Sequence, residues 1–146
     1  MNFFYTTEIY FALLCTFVSI RALTLHAPTG TCTNSALAFH LEEWLHLSAA
    51  IALAISVFPL STLFLSAAKV EKVIKKPIVV IAALSLEACR VLCLWVGLML
   101  VYNMDSECRA LAPQLWTYAN LLLLLNVGAF FFGPVRFLLK VKRNKD

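Results

Sequence analysis

Glu87 and Arg90 stand three positions apart inside an otherwise apolar run, a spacing that puts both on one helical face. A carboxylate and a guanidinium in such surroundings are costly unless they turn inward and pair. Two kinds of chemistry follow from that pair. It can be a buried ion pair that fixes helix register or docks a neighbouring subunit, or it can be a station on an ion or proton pathway. Thr16, Ser56 and Asn126 fall near the midpoints of three other apolar runs, beside Cys15 in the first of them. Packed side by side, these runs would place one intramembrane polar layer around Glu87 and Arg90, with Asn126 as hydrogen-bond partner. The two charges cancel locally and no second acidic residue lies at that depth, which favours the structural role.

Other constellations carry less. His40, Glu43 and His46 are spaced three apart, and Glu43-Trp-Leu-His46 has the Glu-x-x-His form used in di-iron bundles. Those sites need the element from two helices with further carboxylates, and here it occurs once. The cluster therefore reads as a polar cap at a water boundary, and no metal is expected. Haem ligation across helices would want histidines on different spans, whereas His26, His40 and His46 all belong to one stretch. With only four glycines there is no phosphate loop, and neither Gly-x-Ser-x-Gly nor His-Glu-x-x-His is present. No catalytic residues, no enzyme activity and no cofactor are expected. Cys89 and Cys93 lack the Cys-x-x-Cys spacing of a redox motif and, with Cys15, read as small packing residues.

The elements that position these residues follow from composition. Of 146 residues 62% are apolar and 14% charged, and the mean hydropathy is +0.85. Soluble domains run about 45–50% apolar and about 25% charged, so the lipid bilayer is the expected surroundings. Four stretches, approximately 3–25, 45–68, 77–102 and 115–139, reach the roughly 20 residues that a helical span needs. The predicted fold is all-α and integral to the membrane, a single domain covering 1–146. Its four transmembrane helices form two tandem helical hairpins. Met1–Glu8 carries no Lys or Arg, so the first stretch reads as a retained span and not as a signal peptide. Glu8 and Arg21, nearer the span ends, are expected to snorkel toward water.

A weak internal match supports the tandem arrangement. Cys15-Thr-Phe-Val18 recurs as Cys93-Leu-Trp-Val96, each followed by a loop cysteine and then a Leu-rich span opened by Trp44 or Trp116. Both tryptophans are expected at the outer interface. Ser48, Ala52 and Ser56 recur every fourth residue and form a small-residue face on which another helix, in this chain or a partner, can pack closely. Pro59 and Pro134 read as local kinks.

Orientation comes from the cations. Lys69, Lys72, Lys75 and Lys76 crowd one link, and Arg136, Lys140, Lys142, Arg143 and Lys145 crowd the C-terminal end. The opposite loops hold only Arg109, with Arg21 near the end of the first span. The positive-inside rule then puts both termini on the cytoplasmic or matrix side. As topology anchors these cations imply no nucleic-acid partner. Cys32 and Cys108 lie in the two loops on the other face, where an oxidising compartment makes them natural disulfide partners.

With almost no chain outside the spans, the expected function is that of a non-catalytic four-helix subunit packing among other membrane subunits in a larger complex, such as an energy-transducing assembly. The alternative is a small homo-oligomeric transporter or channel that uses Glu87 and Arg90.

Overall fold

The computed structural model describes residues 6–26, 33–34, 39–103, 109–110, 113–132, 139 and 143. Among them are five helices: α1 (Thr6–Leu23), α2 (Leu41–Phe64), α3 (Ala67–Ile74), α4 (Pro77–Tyr102) and α5 (Pro113–Phe132). A two-residue antiparallel pair, Thr33–Asn34 with Phe39–His40, leads into α2, with Thr33 opposite His40. The fold is all-α. Two of the helices, over Leu41–Ser61 and Pro77–Tyr102, are long and apolar enough to cross a membrane. Cys32, Cys108, Lys140 and Lys142 lie outside the described residues, while Arg143 is exposed.

Local chemistry sets the helix ends. Glu8 occupies the first turn of α1 and Arg21 its last, and Glu42 and Glu43 open α2, each charge complementing the helix dipole. Pro77 sits at the start of α4 after the extended Lys76, where its missing N–H costs nothing. Asn103 ends α4: its backbone N–H and its side-chain amide both donate to the Met99 carbonyl, at 3.1 and 2.8 Å. Pro59 lies inside α2, which continues to Phe64 although Pro59 has no N–H to give the Ile55 carbonyl.

The lysine-rich link is itself a helix. In α3 Val70 is buried while Lys69 and Lys72 face out, and Lys75 bridges to Glu71 at 2.9 Å, four positions back. On the apolar side of α3, Val70, Val73 and Ile74 line, with Val57, Ser61 and Val79, a cavity of about 350 Å³ at the junction of α2, α3 and α4.

Helix α1 packs most extensively on α2, α2 on α4, α4 on α5 and α5 back on α1, while α2 and α5 also meet across the centre. Small residues make that central crossing possible. Ala49, Ala22 and Ala119 are fully buried in a core completed by Trp44, Leu45, Leu100, Leu115 and Leu122. That core fills the end of the bundle where α1 and α4 finish and α2 and α5 begin. The buried charged residues, Glu8 and Arg90, lie toward the opposite half.

Trp44 corrects the interfacial expectation. It is 1% exposed, and its indole N–H donates to the Cys93 carbonyl at 2.8 Å. Gly97, one turn beyond Cys93, is what admits the ring. A Cβ at position 97 would lie 2.1 Å from Cζ2 of the indole. Trp116 is half-buried, with the Arg109 guanidinium 5.0 Å from its ring centroid.

Candidate functional site

Helix α4 presents Ala83, Arg90, Cys93, Gly97 and Leu100 to the other helices, a three- and four-residue spacing that marks its inner face. Arg90 is the one charged residue in that row, and it is 2% exposed. Its guanidinium is held on two sides. Nε donates to Glu87 Oε2 at 3.2 Å, Nη2 donates to Glu87 Oε1, and Nη1 donates to the Asn126 carbonyl on α5. A planar donor set clamped by a carboxylate on its own helix and a carbonyl on the next ties α4 to α5 at one register.

Asn126 extends the cluster to a third helix. Its side-chain amide donates to Ser48 Oγ on α2 at 3.2 Å. Glu87, Arg90, Asn126 and Ser48 are thus one connected network across α4, α5 and α2, with Asn126 accepting from Arg90 through its backbone and bonding Ser48 through its side chain. Ser48 is present because the small-residue face of α2 turns inward, onto α5.

Ser56 and Thr16 take another course. Ser56 Oγ donates to the Ala52 carbonyl at 2.8 Å and Thr16 Oγ1 to the Ala12 carbonyl at 2.7 Å, each four residues back on its own helix. Ser56 still lines a cavity of about 30 Å³ at the bundle centre, together with Cys15, Ala52, Arg90, Leu122 and Asn126. That space is enough for about one water molecule. Most of the wall is apolar, so the cavity sits at the edge of the polar network.

Glu87 differs from its partner. Its side chain keeps 19% of its surface, against 2% for Arg90. Ala83 and Arg90 flank it on the buried side of α4, while Leu84 and Val91 flank it on the exposed side. The carboxylate therefore stands at the seam between the inside of the bundle and the outer face of α4.

A second buried acid was not legible. Glu8, at the start of α1, is fully buried, where a snorkelling side chain was expected. The Thr7 hydroxyl donates to its carboxylate at 2.9 Å. Glu8 and Ile9 are packed within the bundle while Thr7 and Tyr10 face out, so the helical face and not the position near the end of the apolar run decides the burial.

The expected polar cap is also rearranged. Glu43 is exposed; the adjacent Glu42 turns toward α1, where the His26 ring meets its carboxylate with Nδ1 2.9 Å from Oε1. Because α2 starts at Leu41, Glu42 and His46 are four apart on one face of its first turns. His26 is exposed and follows the end of α1, so only the α1–α2 packing brings it there.

Comparison with protein families, with curated proteins and with solved structures gives no match for this chain.

Proposed function

We propose that the chain is a non-catalytic four-helix integral membrane subunit that packs within a larger membrane protein complex. In this reading α1, α2, α4 and α5 span the bilayer as two tandem hairpins. The amphipathic α3 lies at the cytoplasmic or matrix interface with its lysines toward lipid headgroups. Both termini lie on that side, which the positive-inside rule favours.

The observation that carries the proposal is the position of Glu87. Helix α4 buries less than half the share of its apolar length inside the chain that α2 does. Most of α4 is thus turned outward, and Ile81, Leu84, Leu92, Trp95 and Leu98 are all exposed on it. An acidic side chain near the bilayer centre costs about 2.5–3.5 kcal/mol even on insertion scales. A neighbouring protein helix seated beside Glu87 removes that exposure, whereas lipid does not. The Ser48, Ala52, Ser56 face no longer argues for a partner, since it is occupied within the bundle.

Mild-detergent extraction from the native membrane, followed by native electrophoresis and mass spectrometry, tests the reading. Stable co-migration with several different membrane proteins is the expected result. Migration as a pure homo-oligomer overturns it and favours the transporter, for which the central cavity beside Arg90 would be the starting point and reconstituted flux the next assay.

The hairpins would also be tied by Cys32 and Cys108 on the far face. Non-reducing electrophoresis should then separate the parent from Cys32→Ser, and from Cys108→Ser in the same direction. Equal mobilities before and after reduction count against the bond.

A further inference from the structure

At the end of the bundle opposite the lysines of α3, His26, Glu42 and His46 converge. One ligand atom from each lies within 4.8 Å of the other two. The imidazole rings of His26 and His46 meet edge to face, with centroids 5.7 Å apart and planes at 85°. We propose that these three residues form a zinc site that fastens the end of α1 to the start of α2.

The hydrogen bonds already set the donors. His46 Nε2 lies 2.9 Å from the Leu25 carbonyl. A carbonyl can only accept, so Nε2 carries the proton and the neutral ring offers the lone pair of Nδ1. A metal-bound histidine ordinarily has its second nitrogen fixed by a carbonyl or carboxylate in this way. His26 Nδ1 shares a proton with Glu42 Oε1 over 2.9 Å. A cation that replaces this proton is held by an imidazole and a carboxylate at once. Ligands about 2.0–2.2 Å from a tetrahedral zinc lie roughly 3.3–3.5 Å from each other. Drawing the three ligand atoms from within 4.8 Å of one another to that spacing takes side-chain adjustments of about 1–1.5 Å.

The donor set selects the class of cation. Two imidazoles and one carboxylate suit zinc over the hard cations calcium and magnesium, which take oxygen ligands. Three protein ligands leave a fourth position for water or another donor, and the exposure of His26 supplies a path of entry. The site does not depend on the membrane reading, since it rests only on the packing of α1 against α2.

The test is zinc titration of the full chain in detergent after chelator stripping, followed by calorimetry, with cobalt absorption reporting a tetrahedral site. One zinc per chain is expected. His26→Ala, Glu42→Gln and His46→Ala should each weaken binding by about tenfold or more and abolish the cobalt spectrum. His26 lies outside the helices, so its variant keeps the fold, and unchanged circular dichroism checks the other two. Absence of saturable zinc binding in the parent overturns the proposal. Binding that stays within about twofold in His26→Ala and His46→Ala, or that disappears on thiol blocking alone, assigns the metal to other residues and overturns it equally.

Discussion

Arg90→Met alone should lower stability by about 3–5 kcal/mol, whereas Arg90→Met together with Glu87→Leu should lie close to the parent. The asymmetry follows from what each substitution leaves behind. Without the guanidinium, the Asn126 carbonyl keeps its place in the helical ladder of α5 and the Asn126 amide keeps Ser48. The damage falls on Glu87, whose carboxylate loses its counter-charge. Removing both charges restores a neutral, packed seam. Glu87→Gln should fall between, because its amide oxygen still accepts from Arg90 while the guanidinium loses its counter-ion. Thermal unfolding in detergent, with native electrophoresis to follow assembly, reads all of these. A double variant as unstable as Arg90→Met would show that the lost tie from Arg90 to the Asn126 carbonyl, and not the unpaired carboxylate, carries the penalty. A double variant that assembles normally but loses a reconstituted flux would transfer the pair to the transport reading.

The pair itself was legible because charge in an apolar run has few explanations, and Asn126 because a midpoint count puts it at the same depth. Which atoms of Asn126 are used was not legible, since backbone and side chain present equivalent acceptors on paper. Faces were harder still. Helices α2, α4 and α5 are apolar on every side, so no periodicity tells the buried face from the outer one. Trp44 shows the consequence: a tryptophan near the start of a span fits an interfacial belt and a buried core equally well until a partner backbone is placed beside it. In α3 the signal was present, with Val70, Val73 and Ile74 on one side and Lys69 and Lys72 on the other, but lysine density drew the reading to a link. The His26, Glu42, His46 cluster needed two facts that sequence spacing does not hold. One is the start of α2 four residues earlier than the apolar run, and the other is the return of the chain after α1 onto that first turn.

Substituting Gly97 should break the contact on which the α2–α4 packing rests. In Gly97→Ala the new methyl meets Trp44 Cζ2 at 2.1 Å, Cε2 at 2.5 Å and Leu123 Cδ2 at 2.9 Å. An alanine in mid-helix gains about 0.8–1.0 kcal/mol of propensity over glycine, and overpacking a tight core costs about 1–3 kcal/mol or more. The steric cost wins because the obstacle is a rigid ring, anchored by its own bond to the Cys93 carbonyl one turn away. Trp44→Ala attacks the same contact from the other side and should cost about 3–5 kcal/mol. Trp44→Phe gives the decisive comparison: the smaller ring vacates the space beside position 97 and surrenders the hydrogen bond, worth about 0.5–1.5 kcal/mol. Gly97→Ala with Trp44→Phe should therefore be less destabilised than the two single changes added together, by about 1 kcal/mol or more. Strict additivity would show that the two residues do not set the helix separation. The same separation carries Arg90 to Asn126, because Arg90, Cys93 and Gly97 share the inner face of α4. Gly97→Ala should thus loosen the polar network two turns away, and the Arg90→Met penalty measured in that background should be smaller than in the parent.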